Sequence, residues 1–384
     1  MLDQASVDRL RHTPTKGFPV LSVYMNIPPG PESLRTAHAR MKDLLTPVAT
    51  DAERLDRDHR RSILADVEAL SGDVGRLGSD LGHGVAIFRS SGAGVDEQMA
   101  LPGPVRDRAI VDDVPYLRPL ESMIEHFPRY CVAVVGRRIG SIFRFSMGRL
   151  ETWEEMRAEE IRKANYGGFA GYEEQRVRAR ADDVAAKHFG LIAGRLAELM
   201  REEQAFDLLI VGGSNSHVSA TIDALPPDVF GRLAGSFTID PGTMTPAVVL
   251  DHARRVGADR EAAEERRLVA DLFDLAESGM RAVLGLEAVC AAVNRRAVDV
   301  LFLQAGRVTP GSVCGNCSRI SRDRDGACAV CGAEVHPVPD VIDRLGEAVR
   351  AAGGRVRHIL SDGPLVEVEV GARLRYPLEM LDAT

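Results

Sequence analysis

Val298-Asp-Val-Leu-Phe-Leu303 reads as a buried strand and runs on into Cys314-Gly-Asn-Cys317, ten intervening residues and Cys328-Ala-Val-Cys331. Paired knuckles at this spacing let four thiolates converge tetrahedrally on one metal ion, and zinc is the ion expected. An iron–sulfur cluster and unligated redox thiols are the competing readings. With all four positions taken by sulfur, no water-bearing position is left, so the metal is expected to hold the fold rather than to catalyse. Gly315 and Gly332 are expected to relieve the backbone where each knuckle turns, and Arg319, Arg322 and Arg324 to offset the thiolate charge.

Downstream of the cysteines come an amphipathic helix from Asp340 to Ala352, a Gly353-Gly354 stop, a strand Val356 to Leu360 and a final Leu365 to Val370 segment. Upstream, Leu286 to Val293 looks helical, and Ala258 to Glu277 is a polar helical stretch rich in Glu and Arg. Further back, strands Tyr130 to Val135 and Ile139 to Phe145 pass through Trp153 into the loop Asn165-Tyr-Gly-Gly-Phe-Ala-Gly-Tyr172. The helix that follows repeats Val177, Ala181, Val184, Ile192, Leu196 and Leu199 near helical period, broken by Asp183. Strand Leu208 to Val211 then enters Gly212-Gly213-Ser214-Asn215-Ser216-His217, and another strand lies near Ser236 to Ile239. Alternating strands and helices indicate an α/β layer. The first segment is a strand Val20 to Ile27, helical residues 32 to 70 interrupted at Pro47, and short strands at Gly84 to Ser90, Gln98 to Leu101 and Arg106 to Val111. It ends in Val114-Pro115-Tyr116-Leu117-Arg118-Pro119, which punctuates like a linker. The expected domains are 1–125, 126–256 and 257–384.

The 384 residues are 45% hydrophobic and 27% charged, enough to bury sizeable cores in two to three domains. No basic-then-apolar leader opens the sequence and no apolar run is long enough to span a bilayer, so no membrane partner is expected. Cys131 and Cys290 stand apart from the cluster of four, which fits a reducing, cytoplasmic setting with one metal site and no disulfide framework. A net charge of −8 argues against wrapping nucleic acid with the whole surface, so any RNA contact must be local. One stretch, His126 to Leu150, carries Arg129, Arg137, Arg138, Arg144 and Arg149 without an acid. Its competing reading is a solvated hairpin edge guarded by charge.

The glycine-rich loop is the second candidate site. Gly167, Gly168 and Gly171 allow close backbone approach, Gln175 and Arg176 open a helix, and helix N-termini attract phosphate. Tyr166, Phe169 and Tyr172 have faces that stack on bases, and Arg162, Lys163, Arg176 and Arg178 have charges that meet phosphates. Against this, glycine-rich connectors are often merely mobile, and Glu159, Glu160, Glu173 and Glu174 dilute the charge. Ser214 and His217 follow a strand without forming a nucleophile elbow, no phosphate-loop motif is present, and His12, His83, His188, His336 and His358 lack metal-ligand spacing.

Residues 283–289, Val-Leu-Gly-Leu-Glu-Ala-Val, then 297–301, Ala-Val-Asp-Val-Leu, the four-cysteine insertion, Arg357-His-Ile-Leu-Ser361 and Arg373-Leu-Arg-Tyr376 resemble the C-terminal domain of archaeal and eukaryotic release factors and of Pelota. The order of these stretches is as informative as the stretches themselves. The resemblance implies an α/β, three-domain release-factor-like architecture with a zinc-ribbon insertion in the C-terminal α/β domain, which docks a translational GTPase in that family. The central segment looks like the family domain that places a Gly-Gly-Gln loop in the peptidyl transferase centre. The first segment looks like the reduced N-terminal domain of the bacterial branch, within which the sequence is most similar to the Balon ribosome hibernation factors. The implied partners are the ribosome, at rRNA near the A site and peptidyl transferase centre, and a GTPase such as elongation factor Tu. Two departures matter. The decoding motif Asn-Ile-Lys-Ser is reduced to Asn26-Ile27 followed by prolines, and Gly167-Gly168 is followed by Phe169 instead of Gln. Gln175 does not complete the motif by position. The expectation is therefore a non-catalytic A-site binder acting in hibernation or protection, with no catalytic residues; the alternative is a peptidyl-tRNA hydrolase of termination or rescue.

Overall fold

The computed structural model describes residues 2–27, 31–72, 83–158, 170–202, 206–242, 244–279 and 281–377, with backbone alone for 31–35 and 170–181. The chain forms two compact units, one of Met1–His126 with Glu264–Thr384 and one of Phe127–Ala263.

In the first unit, helix α1 (Gln4–Arg11) precedes β1 (Val20–Asn26), helices α2 (Pro31–Ala52) and α3 (Arg57–Gly72), and strands β2 (Gly84–Ser90), β3 (Val95–Leu101) and β4 (Arg108–Asp112). The strands make an antiparallel sheet ordered β3-β2-β1-β4. The expected interruption at Pro47 does not occur, since α2 runs through it. Met41, Leu45, Val48 and Ala52 continue one apolar stripe into the core, and that burial offsets the single backbone bond the proline omits. The break comes at Asp56, whose carboxylate accepts from the N–H groups of Asp58 (3.1 Å) and His59 (3.2 Å) as the cap of α3.

The segment expected as a linker is buried instead: Tyr116, Leu117 and Arg118 are 1%, 4% and 3% exposed. Tyr116 takes its N–H to Ser22 Oγ (3.0 Å), accepts at its carbonyl from the Tyr24 hydroxyl (2.5 Å) and donates its own hydroxyl to Asp340 (2.9 Å). Pro119 sits in the first turn of α4 (Arg118–His126), where its missing N–H costs nothing. Arg118 lies 3.1 Å from the same Asp340 carboxylate, which also accepts from the N–H groups of Thr309 and Ile342 (3.2 Å each). Asp340→Ala strands Arg118 as a buried charge, so a loss of about 3–5 kcal/mol in urea unfolding is expected; a change below about 1 kcal/mol would show the joint to be ornamental.

A second joint is charged. His126 Nδ1 faces the Ser122 carbonyl (2.7 Å) and its Nε2 faces Glu265 (3.0 Å), so both ring nitrogens donate and the ring is an imidazolium. Glu265 also accepts from the N–H groups of Leu360 (3.0 Å) and Ser361 (2.8 Å). Burial pulls the Glu265 pKa up, but these bonds more than offset it and hold the carboxyl at about 2, against an ordinary 4.5. Burial opposes the charge on His126 too, yet the bonds to Glu265 and Ser122 raise its pKa above 6.5. The carboxylate's contribution is complete above pH 4.5 and lost as pH falls from 4.5 towards 2, while the imidazolium's is complete below 6.5 and lost above its raised pKa. Glu265→Gln should therefore flatten the acid limb of the urea midpoint measured between about pH 3 and 6. An unchanged acid limb would remove the pair from the stability account.

The second unit carries β5 (Tyr130–Val135), β6 (Ile139–Ser146), β7 (Arg149–Arg157), α5 (Ala170–Arg201), β8 (Leu208–Gly213), α6 (Asn215–Asp223), α7 (Pro227–Phe230), β9 (Leu233–Thr238) and the first part of α8 (Pro246–Glu277). Its sheet runs β7-β6-β5-β8-β9, with β5, β8 and β9 mutually parallel. Ile192, Leu196 and Leu199 of α5 cover one face, and Val249 and Ala253 of α8 the other. Strand β7 is absent from the sequence reading because Glu151 to Glu155 show no buried alternation; it is an edge strand whose side chains are mostly exposed. The boundary drawn at 256/257 falls within the continuous helix α8.

The rest of the first unit contains β10 (Ala282–Leu284), α9 (Leu286–Asn294), β11 (Val298–Gln304), a small sheet of β12 (Gly311–Cys314), β13 (Ile320–Ser321) and β14 (Val335–Val338), then α10 (Val341–Ala351), β15 (Arg355–Ile359), α11 (Leu365–Val368) and β16 (Val370–Leu374). The main sheet is ordered β10-β16-β11-β15, with β11 and β15 parallel. Helices α9 and α10 pack on one face; Val269 and Leu272 of α8 and Leu365 of α11 pack on the other. The final Leu365 to Val370 stretch is a helical turn rather than one element, and Glu369 at φ 66° passes it into β16. Mixed α/β layers with several sheets are thus present, and the cysteine ribbon is inserted between β11 and α10. Among the described residues no helix is long and apolar enough to cross a membrane.

Candidate metal centre

The small sheet β13-β12-β14 is the frame of the cysteine cluster. Cys314 ends β12 and pairs with Val335 of β14, and Ala327 bridges to Glu334. The chain turns back after each knuckle through a left-handed residue, Ser318 at φ 59° and Gly332 at φ 72°. This corrects half of the expectation for the glycines. Gly332 does relieve its turn, but the equivalent position in the first knuckle is Ser318. Gly315 serves close approach instead, since a Cβ there would stand 2.4 Å from His336 Nε2.

These turns bring the four sulfurs together: Cys314 to Cys331 is 3.4 Å, while Cys317 lies 3.6 Å from both Cys328 and Cys331. All four lie within 4.8 Å of one another. Such separations are far beyond the roughly 2.05 Å of a disulfide bond. They approach the ~3.8 Å edge of a tetrahedron of sulfurs about 2.3 Å from a central ion. Sulfurs this close could hold a single ion; a multi-iron cube needs them farther apart. Backbone N–H groups aim at them, from Arg319 to Cys317, from Val330 and Cys331 to Cys328, and from Ala333 to Cys331. The Ala333 N–H, with the Asn316 side chain, lowers the Cys331 thiol to about 6, whereas Cys317, despite the Arg319 N–H, is pushed up to about 12 by burial and its neighbouring cysteines. Thiolate is the form a metal binds.

The ribbon is fixed to the α/β core by contacts that sequence reading missed. Ile320 and Val338 are buried with Val341 and Leu345 of α10 and Val293 of α9. Asn294, the last residue of α9, brackets Ile320 like a strand partner, accepting from its N–H (2.9 Å) and donating to its carbonyl (2.8 Å). No spacing in the sequence advertises this amide. Of the three arginines expected to offset the thiolates, Arg322 and Arg324 are exposed and Arg319 is half-buried. Cys131 and Cys290 are buried apart from the cluster, and burial pushes both thiols up, Cys290 to about 11.

The expected RNA-contacting residues are not brought into view. Arg162, Lys163, Tyr166, Gly167, Gly168 and Phe169 lie outside the described residues, and Tyr172, Gln175, Arg176 and Arg178 lie on α5 where only the backbone is described. The acid-free stretch from His126 to Leu150 acquires acids from elsewhere in its unit: Arg129 pairs with Asp207 (2.9 Å), Arg137 with Asp182 (2.6 Å) and Arg144 with Glu202 (3.3 Å). That favours the guarded-edge reading of these three side chains. Ser214 Oγ stands 3.4 Å from Ser216 Oγ, and the His217 ring packs against Phe189, so no nucleophile–base pair forms there.

Residues 115–258 match the family model described as Bacterial archaeo-eukaryotic release factor family 10. No curated protein matches the chain. Among solved structures, Archaeoglobus fulgidus Pelota is similar at 15% identity, covering 77% of this chain and 80% of its own, with a TM-score of 0.36. Dom34 of S. cerevisiae, described as a translation termination-like factor involved in RNA quality control pathways and interacting with Hbs1, is similar at 12% identity over 78% of this chain and 81% of its own, TM-score 0.42. The C-terminal domain of a peptide chain release factor from Methanosarcina mazei is similar at 23% identity over 35% of this chain and 94% of its own, TM-score 0.27.

Proposed function

We propose, from the release-factor-family segment at residues 115–258, that this protein of the release-factor and Pelota superfamily is a cytoplasmic factor that occupies the ribosomal A site without cleaving peptidyl-tRNA. The observation that carries the non-catalytic part is Phe169, which follows Gly167-Gly168 inside the matched segment. A phenyl ring neither orients water nor hydrogen-bonds an ester. The role that suits such a protein is hibernation or protection of an idle ribosome. Its domains are 1–125, 126–256 and 257–384, the last docking a translational GTPase such as elongation factor Tu.

In this reading the four-cysteine ribbon holds zinc. Four thiolates at near-tetrahedral separations suit that ion, and a site filled by protein ligands leaves it a structural part. The loop supplies the ribosome contact: Tyr166, Phe169 and Tyr172 stack on bases, while Arg162, Lys163, Arg176 and Arg178 meet phosphates. Cosedimentation with ribosomes from growing and starved cells tests it. Phe169→Ala with Tyr172→Ala should weaken pelleting, because each aromatic–base stack is worth about 1–3 kcal/mol, and rising salt should weaken it further. Equal pelleting of wild type and double variant across ionic strengths would refute the loop's role.

A further inference from the structure

The Gly212-Gly213-Ser214-Asn215 turn takes no part in the proposed function, yet it stands where a sheet of this kind offers a ligand site. Strands β5, β8 and β9 are parallel, and their carboxyl ends open together on one edge of the second unit. An open depression with about 620 Å³ of space lies there, lined among others by Arg137, Arg138, Ser214, His217, Asp240 and Pro241. Open parallel sheets bind ligands in the crevice outside these strand ends.

The walls differ in chemistry. On one side the chain leaves β8 at Gly213, φ 147°, where a Cβ would stand 2.4 Å from the Val135 carbonyl oxygen; no side chain fits between the strand ends. The nine-residue helix α6 starts there, and its cap residue Ser214 makes no side-chain capping bond. Asn215 accepts from Thr238 Oγ1 (3.2 Å), tying this turn to the end of β9. Arg137 and Arg138 of the β5–β6 turn line the same space. Arg137 shares its charge with Asp182, whereas Arg138 is exposed and has no ion pair among the described residues. Ile139, Ile239 and Pro241 add apolar lining, and Asp240 follows β9, held by the Gly242 N–H at 2.9 Å. The next strand's carboxylate beside a glycine turn is where parallel βαβ units take a ribose hydroxyl.

We infer that this depression binds a 5′-phosphorylated ribonucleoside, either free or at the end of an RNA strand. The phosphate lies against Arg138 and the opening of α6, the ribose hydroxyls donate to Asp240, and the base rests on Ile139 and Pro241. The residues named for it are other than those named for the glycine-rich loop and the metal centre, and its test needs no ribosome, so its outcome is independent of the A-site reading.

Isothermal titration of the full-length protein with each of the four ribonucleoside diphosphates, with the parent nucleosides and with a 5′-phosphorylated hexanucleotide RNA tests it. A diphosphate should bind at least about 10-fold tighter than its nucleoside, and Arg138→Ala should erase most of that gap, since charge-assisted contacts to phosphate carry it. Asp240→Ala should abolish the preference for ribo- over 2′-deoxyribonucleotides. Binding of the diphosphates identifies a free nucleotide as the ligand, and binding of the RNA alone identifies a strand end. No heat with either class, or equal affinity for wild type and Arg138→Ala, overturns the assignment. Both side chains are on the surface, so unchanged melting curves are expected to accompany the losses.

Discussion

Chelating the metal proposed for the four-cysteine site, or replacing Cys328 by Ser, should unravel residues 311–340 while the α/β core around them stays folded. The ribbon has strands of four, two and four residues, and beyond its cysteines only Ile320 and Val338 among its hydrophobic residues are buried. So small a sheet lacks the apolar area to fold unaided. Metal binding to a four-thiolate site is worth about 10–16 kcal/mol in isolated zinc modules, more than any other single interaction in this segment. The core behaves differently because Leu301, Val341, Leu345 and Val349 bury one another without a ligand. Hydrogen exchange separates the two. The N–H groups of Cys314 (to Arg319 O, 2.9 Å), Cys328 (to Ala333 O, 2.7 Å) and Gly332 (to Cys328 O, 2.9 Å) should lose protection on chelation. Amides of β11 and β15 should keep theirs. Metal content and protection identical in wild type and the Cys328→Ser variant would eliminate the centre. The Asn294 bracket should cushion only the Ile320 end.

What could be read in advance follows physical lines. The strand Tyr130–Val135 is buried at every residue, so a run of apolar side chains announces it without alternation. The four cysteines announce themselves because two knuckles and their spacing carry the whole geometry. Local rules failed where long-range burial decided the outcome. Pro47 should have ended a helix, and the stripe it interrupts kept the helix whole. Tyr116 looked like part of a linker because its anchor, Asp340, lies 224 positions away in the chain. Residues of β7 gave no buried periodicity because the strand has a neighbour on one side only. The pairing of Arg129, Arg137 and Arg144 with Asp207, Asp182 and Glu202 is equally invisible to a count of local charge. For the glycine-rich loop the sequence remains the basis of its reading, through Phe169.

That residue decides the second large effect. The A-site binder and the peptidyl-tRNA hydrolase share a family, a location and a partner, and differ in whether the ester is cleaved. A catalytic loop must hold a polar group or its own amide against the attacking water, and losing one such donor costs about 100- to 1000-fold in rate. Phe169 supplies no side-chain donor, and Gln175 lies seven residues beyond Gly168, so it does not complete a Gly-Gly-Gln stretch. On ribosomes carrying labelled peptidyl-tRNA in the P site, saturating protein should therefore release peptide no faster than buffer, while still shielding A-site bases from chemical probes. Gly168→Ala should leave that background where it is. Phe169→Gln restores the missing amide at the right position; if the loop is otherwise intact, release should rise above background by an amount up to the same range. Release by the wild-type protein at the rate of a true termination factor, abolished by Gly168→Ala or Gln175→Ala, would establish the hydrolase instead. Absence of both release and shielding would deny the ribosome as the partner and leave the protein without its proposed site of action.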